Sequence, residues 1–328
     1  MIEQGNGGEE DIPLRLIPLT LFGTITTHLF GGSVGREGTA VQMGGAIANA
    51  VGKVFKLSAL ERQVIIISGI SAGFSSVFGT PLAGTVFGLE VLAIGKVRAE
   101  ALFPSFFAGL FAHYPMGKIP TWSVDLFVKL FLASICFGLA GWVFSRSIVF
   151  LKKTYANWFA NVYLRTFLGA SIVVLFVLVL NNQRYLGLSL PLLEDAFAGN
   201  AQPFDFVGKL FFTVLSLGAG FQGGEVTPLF EIGATLGSSL APLLHLSIPF
   251  LAGLGFIGVF SGATNTPIAC FIMGIELFGS EAAVYFFMVC LISFMCSGNS
   301  GIYASQQSLY RKGTAEYPLF TALKNRRK

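Results

Sequence analysis

The chain has 328 residues, 53% of them hydrophobic and only 12% charged, with a formal net charge of +4 and a mean hydropathy of +0.72. So few charged groups cannot cover a soluble surface, which excludes an ordinary soluble fold and places the chain in a membrane. The small positive balance is no nucleic-acid footprint, because six of the 21 Lys and Arg fall in the last eighteen residues, at Arg311, Lys312, Lys324, Arg326, Arg327 and Lys328. That basic tail reads as cytoplasmic or as facing anionic lipid headgroups.

In chain order, residues 1–12 are rich in Gly and acid and carry no cleavable signal, and the first apolar run begins near Leu14. Apolar stretches then fall at roughly 14–31, 40–55, 64–95, 101–112, 124–151, 157–181, 206–219, 228–247, 249–279 and 282–296. Few are uninterrupted for the ~20 residues that a spanning helix needs. Gly79-Thr80-Pro81 splits one stretch, and Asn265-Thr266-Pro267 splits another at the matching place. Breaks at membrane depth leave backbone N–H groups unpaired, which is tolerated only where protein or a hydrated cavity covers them. The breaks therefore point inward, to a site.

The stretches also recur. Gly35-Arg36-Glu37-Gly38-Thr39 opens one, and Gly223-Gly224-Glu225-Val226-Thr227 opens another 188 residues later. Each is followed by a second shared element, Thr80-Pro81 running to Glu90 and Thr266-Pro267 running to Glu276, at an offset of 186. A duplicated unit with interrupted helices is a signature of ion and solute transporters. Residues 1–120 are expected to form the first unit, 121–310 the second, and 311–328 the tail. The second unit has three apolar segments before Glu225 and the first has one before Glu37, so about 65 residues and two helices are expected to be missing from the N-terminal end.

A helix opened by a glycine turn presents unpaired N–H donors and about half a positive charge, an arrangement that binds small anions. Gly35, Gly38 and Gly224 suit such turns. A carboxylate there mimics the anion when ionised and is released when protonated, so one side chain can gate a path and carry a proton. Intramembrane glutamates are costly and mark function. Glu37 is therefore read as a gate rather than as a salt-bridge partner of Arg36, since helix neighbours point about 100° apart.

Glu90 and Glu276 read as packing or capping groups, His28, His113 and His245 as structural, and Asn265 as a helix break. Cys136, Cys270, Cys290 and Cys296 lack metal-ligand spacing and read as reduced core residues. No cofactor or metal is expected. HExxH and His-rich clusters are lacking, which disfavours an intramembrane enzyme built on Glu37 and Glu225.

The strings GREGTAVQMGG, GISAGFSSVFGTPLAGTVFGLEV, GGEVTPLFEIGATLG and SGATNTPIACFIMGIELF resemble the CLC family of chloride channels and anion/proton antiporters. The resemblance implies an all-α inverted-repeat membrane fold with many broken and tilted helices, homodimeric, in the inner (plasma) membrane. It also implies Glu37 as external gating glutamate, Tyr303 as anion-coordinating hydroxyl, and an anion site at Gly35, Arg36, Gly38 and the amides near Val226. Three departures matter: Thr39 replaces a proline, Glu225 and Thr227 replace apolar residues, and Val91 stands where antiporters of chloride carry an inner glutamate. Together they resemble the fluoride/proton branch, with Glu225 as proton relay and Thr227 as anion donor. Helix capping is the competing role for Thr227, and complementing its own helix for Glu225. Fluoride and protons are the expected cargo. A chloride/proton antiporter, a chloride channel, or a non-transporting fragment are the alternatives.

Overall fold

The computed structural model describes residues 2–6, 8, 11–94, 116–303 and 305–308, and shows thirteen α-helices among them. The basic tail, His113 and the apolar stretch at 101–112 lie outside the described residues. Helices α1 (Ile2–Gly5), α2 (Leu16–Leu29), α3 (Glu37–Val54), α4 (Ala59–Phe78) and α5 (Pro81–Glu90) precede residue 95. After residue 115 come α6 (Val124–Trp158), α7 (Val162–Leu180), α8 (Leu190–Ala198), α9 (Asp205–Gly218), α10 (Val226–Leu244), α11 (Ile248–Thr264), α12 (Pro267–Phe278) and α13 (Ala283–Cys296). A two-residue parallel pairing joins β1 (Ala93–Ile94) to β2 (Gln307–Ser308). Among the described residues α6 and α7 are long and apolar enough to cross a membrane, and α2, α11, α12 and α13 are shorter apolar helices.

The recurring sequence blocks fold into matching runs, α3–α4–α5 and α10–α11–α12. Helix α4 starts at a capping box, Ser58 with Glu61, and stops at Gly79 with φ +65°. Helix α11 stops at Asn265 with φ +60°, which confirms that residue as a break. In each run the next helix opens on Pro81 or Pro267, whose missing N–H costs nothing at that position.

The remaining donors at these starts are taken across the repeat. Both carboxylate oxygens of Glu276 accept from the N–H groups of Leu82 and Ala83, each at 2.8 Å. Those of Glu90 accept from Ile268 at 3.2 Å and Ala269 at 2.8 Å. Each unit's glutamate thus caps the other's helix and offsets its positive end. Glu90 and Glu276 are capping groups, as their register suggested.

Packing follows the glycine content. The N-terminal half of α10 lies so close to α11 that a Cβ on Gly233 would meet the backbone carbon of Gly255 at 2.6 Å. Lipid gives helices little reason to associate, so backbone approach of this kind supplies the contact. Between the units the core is aromatic: Phe74 stacks on Phe87 at 4.0 Å, and both lie within 6.3 Å of Phe260. Cys136 departs from the expected core placement: it faces outward on α6, while Cys270 and Cys290 are buried.

Helix α9 carries a polar face, Asp205, Lys209, Thr213 and Ser216, with every side chain buried. The Lys209 ammonium pairs with Glu231 of α10 at 3.0 Å and donates to Ser189 Oγ at 2.6 Å and to the carbonyls of Tyr185 and Gly187. Thr213 and Ser216 bond the side chain and the N–H of Ser33, at 2.9 and 3.0 Å. One helix therefore fixes both the segment before α3 and the first turns of α10. Ahead of α2, Asp11 accepts from Lys53, Asn49 and Arg62, and the bond from Lys53 chiefly holds its carboxyl below the usual range.

Removing one member of the Lys209–Glu231 pair leaves an uncompensated buried charge, a loss of about 3–5 kcal/mol. Lys209→Met and Glu231→Leu are each expected to lower the thermal midpoint in detergent. The double variant is expected to be closer to the parent than either single one. A double variant at least as unstable as the sum of the singles would show that the pair carries no coupling.

Candidate functional site

Two turns, one before α3 and one before α10, meet at the centre. Gly35 and Gly224 exchange two backbone hydrogen bonds of 2.6 Å in an antiparallel bridge. A Cβ on Gly224 would lie 2.8 Å from both Glu37 Oε2 and the Gly38 nitrogen, so only glycine lets the turns touch. The bridge sets the starts of two helices side by side, each with N–H donors free of intrahelical partners.

Glu37, the first residue of α3, is 1% exposed. The Thr227 hydroxyl donates to its Oε1, and the Thr227 backbone N–H reaches Oε2 at 3.4 Å. The carboxylate of one unit therefore occupies the helix start of the other. Thr227 is the second residue of α10 and the helix cap is Glu225, which makes no capping bond through its side chain. The alternative of Thr227 as helix cap is thus not the arrangement found.

A cavity of about 740 Å³ opens beside this contact. Glu37, Gly38, Glu225, Val226 and Tyr303 line it, together with Phe74, Phe87 and Val91. Gly35 and Thr227 are buried behind Glu37. Tyr303 sets its ring edge-on to Phe87 at 6.3 Å, and its hydroxyl has no hydrogen-bond partner among the described residues. Seven of the eight expected site residues are brought together.

Arg36 is separated from them. Its side chain is exposed and lines a second cavity of about 730 Å³ with Thr24, His28 and Thr39. The physical reason is the turn of roughly 100° between helix neighbours, which sends Arg36 away from the face that carries Glu37. Thr39, the other departure in that string, bonds Thr24 at 2.5 Å. His28 reaches the carbonyls of Thr24 and Val34 at 2.8 and 3.1 Å and holds the segment before the bridge, a structural role.

Sequence reasoning passed over three features of the site. Lys209, a lone cation inside the apolar run 206–219, was visible, but its partner Glu231 lies on another helix. Gln42 and Gln222, 3.4 Å apart in the cavity wall, occupy positions that do not correspond between the repeats. Lys152, also in that wall, sits near the end of the long helix α6 and carries no local motif.

Comparison with known proteins agrees with this architecture. The chain is 46% identical over 334 residues to a protein named "Chloride/fluoride channel protein" from Pseudomonas syringae pv. tomato (strain ATCC BAA-871 / DC3000), covering 94% of this chain and 72% of that one. It is 26% identical over 294 residues to the H(+)/Cl(-) exchange transporter ClcA of Yersinia pestis, spanning 61% of the length of that relative. Among solved structures it superposes on a CLC-type fluoride/proton antiporter with a TM-score of 0.89 at 38% identity, covering 94% of this chain and 81% of that one. A slow cyanobacterial Cl-/H+ antiporter shares the fold, with a TM-score of 0.76 at 20% identity over 90% of this chain and 76% of the other. Residues 1–298 match the family described as voltage gated chloride channel. With its helix-start carboxylate, its duplicated all-α fold and that match, the chain is a membrane protein of the CLC family of ion transporters and channels.

Proposed function

We propose that this chain moves fluoride across a membrane in exchange for protons, with Glu37 as the titratable gate. The observation that carries the reading is the seat of the Glu37 carboxylate on Thr227, at the start of α10 and beside the central cavity. Ionised, Glu37 takes the hydroxyl and the N–H that an anion needs. Protonated, it loses the charge that holds it there and yields the place to an anion. Anion and proton then alternate at one point, which is what exchange requires.

Fluoride is favoured over chloride by the donors available. A small, strongly hydrated anion surrenders its water only to short, strong hydrogen bonds, and the Thr227 hydroxyl provides one where an alkyl side chain cannot. Val91 is buried and apolar in the cavity wall, so the carboxylate nearest Glu37 along the cavity is Glu225, the proposed proton relay. Tyr303 and the amides of Val226 and Gly38 complete the proposed anion site. Similarity to a solved fluoride/proton antiporter supports the same choice. Residues 1–120 and 121–310 are the proposed units on either side of the path, in a homodimer in the inner (plasma) membrane. Chloride/proton exchange is the second reading, favoured by the similarity to ClcA.

In proteoliposomes, Glu37→Gln is expected to abolish proton uptake driven by an outward fluoride gradient. Persistent uptake would remove Glu37 from the coupling. Thr227→Val is expected to weaken fluoride by several-fold, the equivalent of a net hydrogen bond of about 0.5–1.5 kcal/mol. Unchanged fluoride affinity with an equal chloride flux in the parent would turn the assignment to the second reading.

A further inference from the structure

The charges around the central cavity do not suit an anion as they stand. Among the described residues its lining carries two carboxylates, Glu37 and Glu225, and one cation, Lys152 of α6. Glu37 is already compensated by Thr227 and by the positive end of α10. Glu225 stands at the same helix start but is held less firmly: its side chain makes no capping bond and no ion pair within 4 Å among the described residues. A half-buried carboxylate without an ion pair repels any anion that approaches, and the low dielectric of a membrane protein sharpens the effect.

Lys152 is placed to cancel it. The ammonium is exposed and free of salt bridges among the described residues, and it attracts Glu225 across the cavity. Its helix is seated firmly there, since the neighbouring residue Leu151 packs so closely on Gly218 of α9 that a Cβ on that glycine would lie 2.8 Å away. A single exposed cation on a cavity walled in part by Phe74, Phe87 and Val91 raises the local anion concentration.

We propose that Lys152 is the counter-charge that admits the anion to the cavity, by offsetting Glu225 and by pairing transiently with the incoming ion. This rests on the anion-transport reading above. It gives Lys152 a role in capture rather than in coupling. When Glu225 takes a proton the ammonium is left without a counter-charge and draws an anion in, and when Glu225 releases the proton the ammonium turns back to the carboxylate. Because the ammonium is exposed, salt screens its action.

The test measures initial fluoride and chloride efflux from proteoliposomes against anion concentration, with proton uptake recorded in parallel. Lys152→Met and Lys152→Gln are expected to raise the half-saturating anion concentration about five- to tenfold at low ionic strength and less at high ionic strength, with the proton-to-anion ratio unchanged. Lys152→Arg keeps the charge and is expected to stay within about twofold of the parent. Half-saturation equal to that of the parent in both neutral variants would overturn the proposal. So would an arginine variant as defective as the methionine one. The same dependence with chloride as the transported ion would support Lys152 while defeating the fluoride reading, and silent Lys152 variants in a protein that still couples fluoride to protons would do the reverse.

Discussion

A carboxylate shut away from water inside a membrane protein has to be given partners, and the seat of Glu37 meets that demand with the start of a helix from the other half of the chain. Everything around it serves the meeting of two turns. The Gly35–Gly224 bridge brings the turns within backbone contact, and α9 pins the approach to each from behind through Ser33 and Glu231. Reciprocal caps by Glu90 and Glu276 lock the later helices of the two runs together. A buried charge of this kind is expensive. Its retention makes sense where the cost is the driving force of a gate: any change that removes the charge also removes the reason to stay.

The same logic explains why the polar groups are so unevenly placed. Lys209 and Glu231 are saturated by each other, by Ser189 and by loop carbonyls, and so are fixed. Glu225 and Lys152 line the cavity without an ion pair within 4 Å, and the Tyr303 hydroxyl has no hydrogen-bond partner among the described residues. Rigid pairs surround the path and unsatisfied groups line it. On the proposed function, an ion that enters finds donors and charges not yet committed elsewhere.

Much of this was legible before any coordinates, because duplication printed the site twice. The repeated glycine–glutamate turns located Glu37, Gly38, Glu225 and Val226 on one cavity, and the repeated Thr-Pro breaks located the starts of α5 and α12. What stayed hidden depended on rotation and on distance along the chain. Arg36 lies beside Glu37 in sequence yet faces another cavity, a consequence of helical phase at a start whose first residue no pattern reveals. The pairing of Lys209 with Glu231 and the caps between Glu90 and the amides of α12 join residues on separate helices, and a single sequence holds no trace of such contacts. The short helix α8 fell below the length at which an apolar run announces itself.

On the proposed function, Glu37 and the anion compete for the same donors at the start of α10. A structure determined at low pH with saturating fluoride tests it most directly. The Glu37 side chain is expected to leave Thr227, with density for the ion within hydrogen-bond distance of the Thr227 hydroxyl and the neighbouring amides. An ion bound in the cavity while Glu37 keeps both contacts with Thr227 would contradict it.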